Sequence, residues 1–250
     1  MSQKIKAPNS KSGRGFLWGI IAIIVIAAVV IGFIVVKNKS SAVDNVSLPE
    51  DNVNFEVSTE DNAVVMAAKN VQKDAPVVEI FEDFSCPHCA DLVKADHEGV
   101  LKALDDGKII VKLRFLNFLD EEDQANKPES GSSTRGAATA WAIAQTGNAR
   151  AFWNMHDLMM LDQKTVARTW GWDQLGEAAS KYDVDGSVVD QIKSGEVKDE
   201  GIKVAKANAE DLKKRAGKVS SPIVYVNGKE FQLQSDGNGG LKSWVPEVVK

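Results

Sequence analysis

Two cysteines, Cys86 and Cys89, are the only cysteines in this chain, and they lie three positions apart in the sequence Cys-Pro-His-Cys. The apolar run 77–81 before them predicts a β-strand, and residues 90–104 after them carry apolar side chains near helical spacing. Cys86 is therefore expected at a helix N-terminus, where unpaired backbone N–H groups and the helix dipole favour an anion. We expect this thiol to ionise easily, and the thiolate is the nucleophile in disulfide exchange.

The three residues that follow Cys86 fit the same chemistry. Pro87 suits the first helical turn, because its φ is already helical and its missing N–H would be unpaired there. His88 can add a positive charge or a hydrogen-bond donor beside the thiolate. Cys89 is expected to point inward as the resolving thiol. The pair can then close a disulfide or exchange it with a partner through a mixed disulfide.

Two other interpretations of the cysteine pair are an inert local disulfide and a zinc site completed by His88, His97 or His156. Structural zinc usually takes four ligands, often from two cysteine pairs, and this chain has no second pair. Covalent haem attachment is excluded, because Ala90 stands where the Cys-x-x-Cys-His motif needs histidine. We expect neither a metal nor a cofactor.

Residues 16–36 form an uncharged and almost wholly apolar run of 21 residues. At about 1.5 Å per residue such a helix spans a hydrocarbon core of about 30 Å. The run predicts a single transmembrane helix. The preceding residues 1–15 hold four basic residues and no acid, which predicts a cytoplasmic N-terminus and an extracytoplasmic catalytic domain.

A cleaved signal peptide would share the basic start and the apolar run. However, the run is longer than the usual apolar region of about 7–15 residues in a signal peptide. Lys37 and Lys39 also follow it instead of a small-residue cleavage site. An uncleaved anchor is therefore favoured, although these two lysines reduce the charge asymmetry that sets the orientation.

The part of the chain after residue 39 is acidic, with 24 basic and 35 acidic residues and thus a net charge of −11. Nucleic-acid binding is not expected, because it favours basic surfaces. An extracytoplasmic compartment is also where disulfides persist. With no further cysteine, the fold must be stabilised by its apolar core.

Residues 37–62 are rich in polar residues and predict an extracytoplasmic linker, with an edge strand at 53–57 as the open alternative. Residues 63–118 hold the strand–helix–strand unit around the cysteines, which predicts a parallel strand pair with a right-handed crossover. Residues 119–200 predict a helical insertion, in which Ser133 or Thr134 caps the first helix.

Residues 201–250 complete the domain. The run 221–231 predicts a β-hairpin, with Asn227 and Gly228 as its two-residue turn. A short helix is expected near the C-terminus. In the insertion, apolar side chains at helical spacing predict core packing, and we expect His156 among them to be a packed or capping group.

This order of elements resembles the DsbA-like branch of the thioredoxin superfamily over roughly residues 60–250. Besides the cysteine pair, the resemblance depends on the Phe-Trp-Asn-Met-His-Asp-Leu stretch at 152–158 and on the Ser-Pro-Ile-Val-Tyr-Val-Asn-Gly stretch at 221–228. With the predicted anchor, the chain looks most like the membrane-tethered MdbA-type oxidases of Gram-positive actinobacteria. The resemblance implies an α/β thioredoxin fold with an inserted helical subdomain.

The resemblance also implies roles for residues far from the cysteines. Pro222 falls where the family carries a cis-proline, which would set the Ser221 backbone beside the sulfurs to pair with an extended peptide. Ser221 could also tune Cys86. Related proteins commonly carry a buried carboxylate six residues before the first cysteine, where this chain has Ile80. Glu82 shares the strand face of Ile80 and is the candidate substitute, a solvated charge being the alternative.

Taken together, the resemblance implies a thiol–disulfide oxidoreductase that oxidises exported proteins with free cysteines. It further implies reoxidation by a quinone-linked membrane partner of the DsbB or VKOR kind. The alternatives are a disulfide reductase or isomerase on the same fold, and a non-catalytic binding or chaperone module.

Overall fold

The computed structural model describes residues 18–21, 23–27, 29, 42–121 and 131–249. The chain divides into two compact units, residues 1–45 and 46–250. In the first unit, the described residues between 18 and 29 are helical. Among all described residues, no helix has the length and apolar character needed to cross a bilayer. The predicted anchor lies partly, and the predicted basic tail wholly, outside the described residues.

The second unit is built on one β-sheet. Its strands are β1 Phe55–Glu60, β2 Ala63–Ala68, β3 Val77–Asp83, β4 Ile110–Leu116, β5 Ile223–Val226 and β6 Lys229–Phe231. Their order across the sheet is β1-β2-β4-β3-β5-β6. β3 and β4 are parallel and are connected through helix α1, Pro87–Asp105, whereas all other neighbours are antiparallel. The predicted strand–helix–strand unit is confirmed.

Strand β1 lies within the segment 37–62 that was predicted to be a linker. Phe55 and Val57 are buried, while Glu56 and Ser58 between and after them are exposed. This alternation is typical of a strand with one face on the core. β1 pairs along its whole length with β2 at the edge of the sheet. The linker prediction is therefore wrong for its last residues, and the edge-strand alternative is the one the structure has.

The helices between β4 and β5 form the predicted insertion and cover the sheet. They are a 3-10 turn at Phe118–Glu121 and the helices α2 Ser132–Gln145, α3 Ala149–Leu161, α4 Trp172–Lys181, α5 Gly186–Ser194 and α6 Lys198–Ala216, and a short helix α7, Val245–Val248, follows the hairpin. The predicted division at residues 200 and 201 falls inside α6. This helix is continuous because it packs on both α2 and β4.

The two faces of the sheet are covered by different helices. Ile80 and Leu113 face Leu92 of α1 across one layer. Phe81 and Tyr225 lie on the opposite face, in a cluster with Leu212 of α6. Because neighbouring residues of a strand point to opposite faces, β3 contributes to both layers of the core.

The first helix of the insertion begins differently from the prediction. Gly131 is its N-cap, and both Ser133 and Thr134 lie inside the helix. Their backbone N–H groups donate to the carboxylate of Asp120, at 2.9 Å and 2.8 Å. An acceptor from the preceding 3-10 turn thus replaces the expected hydroxyl cap, and the predicted Ser133 or Thr134 cap is wrong.

The predicted β5–β6 hairpin is present, with Asn227 and Gly228 at φ 49° and 76°. Asn227 also fixes the hairpin against the start of β3. The backbone N–H of Val77 donates to Asn227 Oδ1 at 2.9 Å, and the backbone N–H of Asn227 donates to the Val77 carbonyl at 2.8 Å. These bonds set the register of β5 beside β3, and hence the position of the loop before β5.

The crossing of α6 and α2 gives a test of the packing. A Cβ at Gly201 would clash with the backbone and side chain of Ala138. Gly201→Ala should lower the free energy of unfolding by about 1–3 kcal/mol, since overpacking outweighs the gain of about 1 kcal/mol in helix propensity. Urea denaturation measures the change.

The matched control is Gly186→Ala at the start of α5, where a Cβ would meet no heavy atom within 4 Å. We expect this variant to be as stable as the unaltered protein or more stable. Equal effects of the two substitutions would contradict the close helix approach.

Candidate active site

The chain changes from strand to helix within three residues at the cysteine pair. Cys86 is the N-cap of α1, with φ −80° and ψ 115°, and Pro87 opens the first turn. The Cys86 N–H donates to the Asp83 carbonyl at 2.9 Å, and the Cys86 carbonyl accepts from the N–H groups of Cys89 and Ala90 at 3.1 Å and 3.3 Å. The predicted position of the first sulfur at a helix N-terminus is thus what the structure has.

The two sulfurs differ in their access to solvent. Both cysteines are free thiols, and they are 6% and 1% exposed for Cys86 and Cys89. The thiol of Cys86 contacts the backbone of the loop before β5, donating to the Ser221 carbonyl at 3.4 Å. Cys86 is thus the less enclosed of the two buried residues, and Cys89 is almost completely buried.

The two sulfurs also differ in acidity. The Cys89 thiol donates a hydrogen bond to Cys86, and together with the Ser221 hydroxyl and the N–H groups of Cys89 and His88 it outweighs burial and lowers the pKa of Cys86 to about 6. Burial first, and then the Cys86 thiolate and the charge of Glu82, raise the pKa of Cys89 well above its usual range. At neutral pH the pair is a thiolate and a thiol.

His88 acts on this sulfur through its main chain. Its backbone N–H is among the groups that lower the pKa of Cys86. Its ring instead lies 3.3 Å from Asp91 Oδ2, on a side chain that is 65% exposed. The structure places the His88 ring on the surface of α1, and the donor expected from it is supplied by the amide.

Ser221 and Pro222 lie beside Cys86, where the resemblance implies them. The peptide bond between them is cis. Ser221 Oγ is buried and has no other hydrogen-bond partner among the described residues. The hydroxyl is thus available to the Cys86 thiolate, and the loop forms one side of the surface around the sulfur.

Glu82 is buried on the sheet face that α1 covers, and it is 2% exposed. Its Oε1 lies 2.7 Å from Nε2 of His156 in α3. Burial opposes a charge on His156, but the carboxylates of Glu82 and Asp157 raise the pKa of this imidazole. Glu82 is therefore a buried, ion-paired group near Cys89 and not a solvated surface charge.

His156 is the partner of Glu82 that the sequence did not identify. We expected a packed or capping group, and the ring is indeed packed against Phe84 and Phe152. Its position in the 152–158 stretch was the available signal. The ion pair with Glu82 could not be predicted, because it joins residues 74 positions apart.

The segment after α3 holds the active-site loop in place. Gln163 Nε2 donates to the Cys86 carbonyl at 2.9 Å, and Arg168 Nη2 donates to the Ser85 carbonyl at 3.2 Å. Below the loop, Asp83 accepts from Ser133 Oγ at 2.5 Å. Burial raises the pKa of Asp83 to about 7. The insertion thus orients the backbone that carries the thiolate.

The histidines considered as zinc ligands have other partners. The ring of His97 lies between two carboxylates, with Nε2 3.1 Å from Asp51 and Nδ1 2.9 Å from Asp157. Throughout the described residues, no histidine ring is a hydrogen-bond partner of either sulfur. The geometry is that of a dithiol pair with an activated first sulfur, which can exchange disulfides.

Comparisons with known proteins agree with this geometry. Residues 72–243 match the family model described as Thioredoxin. The MdbA protein of Corynebacterium diphtheriae, a thiol-disulfide oxidoreductase, is 36% identical with a TM-score of 0.72, and the match covers 83% of this chain and 98% of that chain. No curated protein matches the chain.

Two further solved structures are similar. The MdbA protein of Corynebacterium matruchotii is 27% identical over 85% of this chain and 99% of that chain, with a TM-score of 0.71. Reduced DsbA of Mycobacterium tuberculosis is 24% identical over 70% of this chain and 86% of that chain, with a TM-score of 0.54. The last match concerns the fold.

The acidity of Cys86 is directly measurable. Its rate of alkylation by iodoacetamide should rise with pH around a midpoint near about 6, because only the thiolate reacts. In Cys89→Ala the midpoint should move up, since this change removes the strongest donor to the thiolate. Ser221→Ala should cause a smaller rise. A midpoint near about 8.5 in the unaltered protein, that of a free cysteine, would contradict the activation of Cys86.

Proposed function

This chain belongs to the thioredoxin superfamily and, within it, to the DsbA-like thiol–disulfide oxidoreductases of the MdbA type, and we propose that it introduces disulfide bonds into exported proteins. The observation that carries the proposal is the unequal acidity of the two sulfurs. A stabilised Cys86 thiolate favours the reduced enzyme, which makes the Cys86–Cys89 disulfide a strong oxidant.

The first half of the reaction opens the enzyme disulfide. A substrate thiolate attacks Sγ of Cys86, the more exposed sulfur. The bond between the substrate sulfur and Cys86 forms as the bond between Cys86 and Cys89 breaks. Its electron pair leaves on Cys89 Sγ, which takes up one proton because its pKa is raised far above neutrality.

The second half releases the product. A second substrate thiolate attacks the substrate sulfur of the mixed disulfide, so that a substrate disulfide forms and Cys86 leaves as a thiolate. Cys86 is a good leaving group because its pKa is lowered. Two electrons have then passed from the substrate dithiol to the enzyme.

Substrate binding is assigned to the loop before β5. The Ser221 carbonyl oxygen lies 3.4 Å from Cys86 Sγ, so the peptide groups of this loop lie at the reacting sulfur. An extended substrate segment can pair with this backbone as an added strand, with Pro222 fixing the loop. Backbone pairing of this kind accepts many sequences, which suits an enzyme with many exported substrates.

Residues 16–36 are proposed as a membrane anchor with a cytoplasmic N-terminus. In support, the helical residues described there have exposed apolar side chains, including Trp18 and Ile23 at 70% and 67% exposure. The segment that follows residue 36 would keep the catalytic domain near the extracytoplasmic surface of the membrane. A quinone-linked membrane protein of the DsbB or VKOR type is the proposed reoxidation partner.

The direction of the reaction is tested by the reduction potential of the Cys86–Cys89 pair. We expect a reduction potential close to that of DsbA, about −120 mV. A potential close to that of thioredoxin, about −270 mV, would support the reductase alternative.

Stability against pH provides a second readout of the same property. The folded pKa of Cys86, about 6, is depressed, so its contribution to the reduced protein is full above the unfolded pKa and is lost as pH falls through about 6. The contribution should approach about 3 kcal/mol as pH rises to about 8.5, above which ionisation of Cys89 in the unfolded chain opposes it. Denaturation of reduced and oxidised protein from pH 5 to 9 measures it, and a pH-independent difference would contradict the assignment.

The exchange mechanism predicts covalent trapping in cells. Cys89→Ser cannot resolve a mixed disulfide from the enzyme side, so exported proteins should accumulate on Cys86. The adducts should sediment with membranes and resist an alkaline wash if residues 16–36 are an anchor. Cys86→Ser is the control and should trap none. Rescue of a disulfide-folding defect by Cys86→Ser would instead support a non-catalytic binding module.

A further inference from the structure

An exposed arginine lies beside the cysteine loop. Arg168, in the segment between α3 and α4, donates from Nη2 to the Ser85 carbonyl at 3.2 Å. Ser85 directly precedes Cys86 in the chain. A guanidinium has several N–H donors, and among the described residues this one has no second hydrogen-bond partner. Most of its donors are therefore available to another molecule.

The charge of Arg168 is not neutralised within the described part of the protein. Two other arginines of the domain pair with Glu79, with Arg114 Nε at 2.8 Å and Arg215 Nη2 at 3.2 Å. Over the ranges that the structure describes, no carboxylate forms an ion pair with Arg168. The chain after residue 39 has a net charge of −11, so an unpaired cation at this place differs in sign from the domain as a whole.

The buried carboxylates behind the loop have other partners. Asp83 accepts from the Ser133 hydroxyl at 2.5 Å and from the Ser85 N–H at 2.9 Å. Asp120 accepts from the Ser133 N–H at 2.9 Å. These two residues are 0% and 5% exposed. Neither can turn outward to Arg168 without breaking its own hydrogen bonds.

The turn that carries Arg168 is fixed in the core. Val166 and Trp170 lie two positions before and after it and are 0% and 3% exposed. The Arg168 N–H donates to the Gln163 carbonyl at 3.1 Å, and the Gln163 side chain donates to the Cys86 carbonyl at 2.9 Å. The arginine is thus placed relative to Cys86 before a substrate binds, which lowers the entropic cost of binding.

A substrate joined to Cys86 brings its neighbouring side chains within reach of Arg168. The Cα atoms of two disulfide-bonded cysteines lie about 5.5–6 Å apart, and successive Cα atoms of a chain are about 3.8 Å apart. The guanidinium already contacts the residue before Cys86. An acidic side chain next to the substrate cysteine can therefore meet the free donors of Arg168.

Resting on the proposed function, we propose that Arg168 is a specificity-determining residue, which binds a carboxylate next to the reacting cysteine of the substrate. A guanidinium matches a carboxylate with two parallel N–H···O bonds. The Ser221 backbone offers contacts that any extended sequence can make. Arg168 adds to them a preference for Asp or Glu beside the cysteine.

The test compares two dithiol peptides as reductants of the Cys86–Cys89 disulfide. Each cysteine is flanked on both sides by Asp in one peptide and by Asn in the other. The rates are followed by acid quench and alkylation of the new thiols. The ratio of the Asp rate to the Asn rate should be about fivefold higher in the unaltered protein than in Arg168→Gln.

This double ratio removes effects that are not specific to the contact. The intrinsic thiol reactivity of each peptide is the same with both proteins, and a general disturbance of the loop slows both peptides alike, so both cancel. Lys164→Gln is the matched control, because Lys164 is an exposed basic residue of the same segment. It should leave the Asp to Asn ratio within about twofold of that in the unaltered protein.

An Asp to Asn ratio that is the same in Arg168→Gln as in the unaltered protein would overturn the proposal, and Arg168 would then only support the Ser85 carbonyl. An equal loss of the ratio in Lys164→Gln would also overturn it, because net charge and not the guanidinium would then set the preference. Failure of the proposed function looks different. A thioredoxin-like potential would reject the oxidising direction while the ratio is still measured, and a disulfide that neither peptide reduces would overturn both proposals.

Discussion

The hydrogen bond from the Cys89 thiol to the Cys86 sulfur is the interaction on which the site depends. It lowers the pKa of Cys86, which accepts the bond, while burial and then the same bond raise the pKa of Cys89, which donates it. The helix N-terminus adds main-chain donors to the same side. Strand β3 and helix α1 serve this bond by bringing the sulfurs together at the end of a buried strand.

The helical insertion contributes directly to this arrangement. Gln163 and Arg168 donate to the successive carbonyl groups of Cys86 and Ser85, and His156 pairs with Glu82 on the sheet face that α1 covers. The insertion therefore contacts the cysteine region in two ways, through the backbone of the active-site loop and through the buried ion pair with Glu82. A thioredoxin domain alone would lack both sets of contacts.

Local patterns in the sequence were sufficient to predict the strand before the cysteines, the helix after them and the Asn227–Gly228 hairpin, because each depends on neighbouring residues. Strand β1 remained open, since its alternation is short and its stability comes from pairing with β2. Contacts between residues far apart in the sequence could not be predicted. Asp120 caps α2 from outside the helix, and the partner of Glu82 comes from the insertion. The site chemistry was thus visible, while the groups that tune it required the fold.

The near-complete burial of Cys89 restricts how the protein can exchange electrons with other molecules. A sulfur that is 1% exposed cannot meet any partner, so both the donor and the acceptor of electrons must use the same atom, Cys86 Sγ. The electron donor and the electron acceptor therefore cannot both be bound at Cys86 at the same time. Turnover must then follow double-displacement kinetics, in which the oxidised substrate leaves before the reoxidising partner binds. A large excess of either molecule competes with the other for Cys86.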